Sequence, residues 1–173
     1  MSEQSIGTGA GLVVGFGNPY RKDDGAAHFL VNELRRRLCL PELEPDEDGL
    51  DELGHPVDTL TMHQLLPELA PVVARYRRVV FVDAHSGTIP EDVRVLPVQE
   101  EYGVQAVTHH MSPGMLLFLA RGLTGTCPEA WLISVRGEDF GLGMGLTPTC
   151  AACVERAVGE VERLLDREAS STC

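Results

Sequence analysis

No window of this 173-residue chain approaches the roughly 18 consecutive apolar residues that a membrane-spanning helix needs. The opening segment, Met1 to Gly11, has neither a basic n-region nor an apolar h-region, so it does not read as a secretory signal. Positive charge is also scarce. Fourteen Lys and Arg stand against 26 Asp and Glu, for a net charge of −12, and the basic stripe that nucleic acid or an anionic membrane would call for is missing. The five cysteines are an odd, scattered set, which suits a reducing compartment better than a disulfide framework. These absences predict a cytoplasmic protein with no nucleic-acid or membrane partner. Cys150 and Cys153 have thiol-pair spacing, but no second Cys pair or His partner at zinc spacing accompanies them. They read as small apolar packing residues rather than as a redox or metal centre. No Ser-His-Asp or His-Glu-x-x-His pattern is present either.

What the chain does have is concentrated in Leu12 to Gly25, where an apolar run meets Gly15-Phe16-Gly17-Asn18 and then Asp23-Asp24-Gly25. The pattern predicts a buried strand, a tight turn where backbone approaches something closely, and a helix mouth carrying two carboxylates. A dinucleotide-binding turn would want a third glycine, but Tyr20 stands there. Two aspartates also occupy the place where phosphate charge would rest, and carboxylates attract cations instead. Asp23 is expected to cap the helix or orient the loop, so that Asp23→Asn would be tolerated.

Strand and helix patterns alternate along the rest of the chain. A helix is predicted over Ala26 to Leu38, with Arg35, Arg36 and Arg37 suiting its C-terminal dipole. Residues 40–56 form an acidic, proline-broken surface loop, expected to be poorly ordered. There follow a short strand Val57 to Leu60, a helix capped by Thr61 and running to Arg75, and a central strand Arg78 to Val82 that delivers Asp83 at its end. An edge strand Val93 to Val98, a helix opened by Thr108 to Pro113, a strand Ala130 to Val135, a glycine-rich loop and a helix from Pro148 to about Arg167 complete the pattern. At 43% hydrophobic the chain should form one domain over residues 1–173, with flexible tails at 1–11 and 168–173. The fold class is α/β: a three-layer α/β/α sandwich on a mostly parallel twisted sheet. In such a sheet Asp23, Asp24 and Asp83 reach the same C-terminal edge, and the His109-His110 loop can join them. Carboxylates and imidazole together suit a transition metal such as zinc or nickel.

The run Gly15-Phe16-Gly17-Asn18, then Asp23-Asp24-Gly25, Val82-Asp83-Ala84, His109-His110-Met111-Ser112-Pro113 and Gly145-Leu146-Thr147-Pro148-Thr149 closely resembles the hydrogenase maturation endopeptidases. The resemblance extends in order from about Leu12 to Arg167. It implies removal of the C-terminal extension from the large-subunit precursor of a nickel-iron hydrogenase, with nickel presented by that substrate. It also implies a metal trio of Asp24, Asp83 and His110, with Gly15, Gly17, Asn18, Asp23 and Gly25 shaping the cleft. Where the family often has a glycine two residues after the turn, this chain has Ala27. The segment His63 to Leu69 is similar to one in a subset of the family and is expected to line the cleft. The alternative from another class is a module that senses a nickel-loaded large subunit without cutting it.

Overall fold

The computed structural model describes residues 11–102 and 110–166. Five strands and four helices are present among them. Strand β1 (Gly11–Phe16) leads through a 3₁₀ turn (Lys22–Gly25) into α1 (Ala26–Arg37). Strand β2 (Val57–Met62) is followed by a 3₁₀ turn (Pro67–Leu69) and a single helical turn, α2 (Ala70–Val73). After β3 (Arg78–His85) and β4 (Val93–Pro97) come α3 (Pro113–Thr124), β5 (Glu129–Arg136) and α4 (Pro148–Leu165). The sheet order is β2-β1-β3-β5-β4, with β4 alone antiparallel.

The central strands are apolar runs because helices cover both faces of the sheet. Val13, Val80, Val82, Ile133 and Val135 pack under α1 and α4. Leu12, Val14, Val79 and Phe81 pack under α2 and α3. This is the expected three-layer sandwich, and the parallel strands β1 and β3 bring the loops that follow them to one edge.

Three local expectations need correction. The helix expected from Thr61 is instead the end of β2. The Thr61 hydroxyl donates to the Glu47 carbonyl at 2.8 Å rather than capping anything, and the chain turns helical only after Leu66, where Pro67 sits at the start and lacks an N–H that any partner would need. The acidic loop is tied down. Arg35 is 1% exposed, and it donates to the Pro41 carbonyl at 2.5 Å, to Thr59 Oγ1 at 3.0 Å and to Glu52. Asn32 holds both the N–H and the carbonyl of Leu43, at 2.8 and 2.9 Å. Of the three arginines at the end of α1, therefore, Arg35 is a buried anchor, while Arg36 and Arg37 pair with surface acids. Finally, β3 runs to His85 rather than stopping at Val82, so Asp83 lies within the strand.

Candidate active site

The turn after β1 is built on close backbone approach. Gly17 has φ +143°, and a Cβ there would stand 2.1 Å from the Asp24 carbonyl oxygen. Only glycine fits. The Gly17 N–H donates to the Met62 carbonyl at 3.0 Å, and the Asn18 N–H donates to Asp24 Oδ2 at 2.9 Å, which steers that carboxylate. Ala27 is accommodated by Gly15: a Cβ on Gly15 would lie 3.1 Å from the Ala27 Cβ and 2.9 Å from its carbonyl oxygen.

Asp23 faces inward and is completely buried. Its Oδ2 accepts the N–H groups of Glu138 and Asp139 at 2.8 and 3.1 Å and the Thr147 hydroxyl at 2.8 Å, while Oδ1 accepts the Thr147 N–H at 2.7 Å. Burial alone would raise its pKa, but the donors from Glu138, Thr147 and Asp139 outweigh it and hold the carboxyl below the usual range. No side chain caps α1 or the 3₁₀ turn before it. Asp23 is thus not a helix cap. It fastens the β1–α1 loop to the β5–α4 loop, and backbone bonds from Lys22 N to Gly143 O (2.8 Å) and Gly143 N to Tyr20 O (2.9 Å) reinforce the join.

Asp83 is the opposite case. Ser134, its neighbour across β5, donates to Oδ1 at 2.6 Å. Burial pushes the Asp83 pKa up to about 6; the Ser134 bond works against the shift and the charge of Asp24 adds to it. Asp24 and Asp83 therefore converge at the C-terminal edge, near enough for their charges to interact. His110 is exposed, directly after residues 103–109, and His109 lies outside the described residues. Among the described residues no group of three His, Cys, Asp or Glu is gathered closely enough to hold a metal ion. The described geometry therefore brings together two members of the expected trio.

No sequence-family model matches the chain, and no curated protein matches it in sequence. Solved structures do. The hydrogenase maturating endopeptidase HybD of Escherichia coli is 25% identical, with a TM-score of 0.65 over 93% of this chain and 94% of that one. The chain resembles the hydrogenase maturation endopeptidases. A nickel-iron hydrogenase maturation protease HybD from Thermococcus kodakarensis, 21% identical, shares the fold with a TM-score of 0.60 over 91% of this chain and 99% of that one. HycI, a protease of the same kind from that organism, is 20% identical, with a TM-score of 0.59 over 92% and 94%.

These likenesses bear out the family resemblance and the fold class read from the sequence. Sequence reasoning passed over two residues at the edge, Ser134 and His85. The alternation of β3 and β5 could have found both, because each shares a face with Asp83 or pairs opposite it. His63 contacts Tyr20 ring to ring and lines a small pocket with Gly15, Gly17 and His28, whereas Leu65 and Leu69 of the same segment go into the core. Cys150 and Cys153 are buried, and burial with the nearby Asp23 charge pushes the Cys150 thiol up to about 12, so neither acts as a poised thiolate. Among the described residues no helix is long and apolar enough to cross a membrane.

Proposed function

We propose that this chain is an endopeptidase of hydrogenase maturation, which removes the C-terminal extension of a nickel-iron hydrogenase large-subunit precursor once nickel is in place. The observation that carries the reading is the pair Asp24 and Asp83, two carboxylates at the ends of neighbouring strands close enough for the charge of Asp24 to act on Asp83. A cation entering beside them removes that repulsion, and oxygen donors suit a divalent ion. Likeness to E. coli HybD over more than nine-tenths of both chains supports the same reading.

In this scheme nickel is cargo, held mainly by the precursor's own ligands. Asp24 and Asp83 offer oxygen donors to its open positions, and His110 is the proposed third, with His109 the alternative. Docking through the metal would set the scissile bond at a fixed distance from the cleft, and a divalent ion held there would supply Lewis-acid polarisation of the carbonyl and of a water. Asn18 and Ser134 each hold one carboxylate in place, and the Asp23 clamp keeps the loops around them rigid. The proposed compartment of the reaction is the cytoplasm.

The test is incubation with nickel-loaded and nickel-free precursor, with the released extension detected by mass spectrometry. Cleavage of the loaded form alone is expected. A loaded precursor that is bound but left intact would instead indicate the non-cleaving sensor. Loss of cleavage in His109→Ala but not His110→Ala would move the third donor by one residue.

A further inference from the structure

The loop between β5 and α4 contains Gly141-Leu142-Gly143-Met144-Gly145, two large apolar side chains alternating with three glycines. An apolar side chain held in water forgoes the gain of burial. Leu142 is nonetheless 88% exposed, more than any other large hydrophobic residue among those described, and Met144 is 58% exposed. Gly143 and Gly145, which bracket Met144, have φ of +131° and +101°, conformations that other residues resist. Tyr20, itself exposed, adjoins them through its carbonyl, which accepts the Gly143 N–H. A single exposed leucine is ordinary, but three large apolar side chains on two adjoining turns form a patch.

The patch is fastened in place. The Lys22 N–H donates to the Gly143 carbonyl at 2.8 Å, and the Asp23 N–H donates to the Asp139 carbonyl at 3.0 Å. The Arg21 guanidinium donates to the Phe140 carbonyl at 3.1 and 3.3 Å. Lys22 also pairs with the Asp139 carboxylate, which accepts the Gly141 N–H at 2.9 Å. Side chains carried on so constrained a loop lose little freedom on binding, as the anchors of a protein interface should. Because Lys22 and Asp139 balance each other, the tip of the loop offers apolar area rather than charge.

Its position decides what it meets. Residues 20–22, to which the loop is tied, run directly into Asp23 and Asp24, so the patch borders the edge where Asp24 and Asp83 stand. A partner that brings a metal ion to those carboxylates must lie against this rim. A projecting side chain is buried only by a concave recess, which a folded surface offers and an extended peptide does not. Resting on the endopeptidase reading above, we propose that Leu142 and Met144, with Tyr20 beside them, dock this chain on an apolar recess in the folded body of the large-subunit precursor, outside the extension that is removed. The carboxylates then tell loaded precursor from empty, and the apolar anchors recognise the protein that carries the metal.

The experiment measures binding of nickel-loaded and nickel-free precursor to wild type, Leu142→Ser, Met144→Ser and the double variant. Each single variant should bind loaded precursor about tenfold more weakly, and the double variant about 30-fold or more. The loss should be no smaller for nickel-free precursor and should not change between about 0.05 and 0.5 M salt, because the contact is apolar. Single-turnover cleavage at saturating precursor should stay within about 3-fold of wild type, and the thermal midpoints should not fall. A photo-crosslinking phenylalanine in place of Leu142 should attach to the body of the precursor, as mapped by mass spectrometry. Double-variant affinity within about 3-fold of wild type, a loss matched by a lower thermal midpoint, or crosslinks confined to the extension would each overturn the docking assignment. So would a wild-type dimer in sedimentation that the double variant converts to monomer, since the patch would then belong to a second copy. A wild type that binds loaded precursor and leaves it intact would overturn the endopeptidase reading alone, because the docking is read from affinity. A wild type that does not bind the precursor would overturn both.

Discussion

Asp23 and Asp83 both reach the C-terminal edge of the sheet, the first fully buried and the second half-buried, and their surroundings treat them in opposite ways. Around Asp23 the loop between β5 and α4 supplies three backbone N–H groups and a hydroxyl, and the carboxylate is held ionised below its usual range. Around Asp83 one serine and a neighbouring carboxylate leave it raised to about 6. Lost hydration pushes both carboxyls up, so it does not mark the reactive group. The number of donors aimed at the carboxylate does. One acid is spent on holding loops together, and the other is left with unsatisfied charge that a ligand can use.

The comparison can be broken first by activity. Asp24→Asn and Asp83→Asn are each expected to lower cleavage of nickel-loaded precursor by about 100-fold or more, at least the effect of removing a metal site's supporting partner. A loss of equal depth in folded Asp23→Asn would mean that the structural and reactive roles have been assigned the wrong way round. Stability gives the next largest contrast. An amide at position 23 turns one oxygen into a donor facing other donors, and Asp23→Asn should lose about 3 kcal/mol, with a thermal midpoint about 6–12 °C lower.

Asp83→Asn should do the reverse. A carboxyl whose folded pKa is about 6 instead of 3.8 binds its proton more tightly when folded, so it lowers stability as pH rises from about 4 through 6. Removing the charge should stabilise the protein by up to about 3 kcal/mol at pH 7 and hardly at all at pH 4, which urea unfolding at the two pH values can measure. For Asp23 the sign is opposite: its contribution is present above its ordinary value of 3.8 and is lost as pH falls through the lower folded value. The smallest effect belongs to Ser134→Ala, which removes one 2.6 Å bond. It should cost about 1 kcal/mol and shift cleavage by less than about tenfold.

The central strands and long helices were legible because their apolar runs and three-and-four spacing are local properties. Thr61 and Met62 misled because Pro67 reads as an early helical residue, while the pairing of Met62 with Phe16 that makes it a strand end comes from a distant segment. Asp23 was legible as a loop-orienting acid but not as a clamp, since its donors lie 115 to 124 residues further on. Arg35 stands in a basic triplet that suits a helix end, and nothing local says which of the three turns inward to Thr59 and Pro41. The convergence of Asp24 with Asp83 followed from topology alone, because parallel strands β1 and β3 are neighbours.

The sheet order also sets a timetable for synthesis. β1 is made early but lies near the centre, and β3 gains its second neighbour only when Glu129–Arg136 has left the ribosome, more than forty residues after β3 is complete. Ser134 and the loop that grips Asp23 come from that same late segment. A nascent chain halted before it holds the acids without their settings, with an apolar strand edge uncovered. The cleft can thus form only once β5 and the loop after it have been made, so a chain halted before them does not pass through a partly competent state.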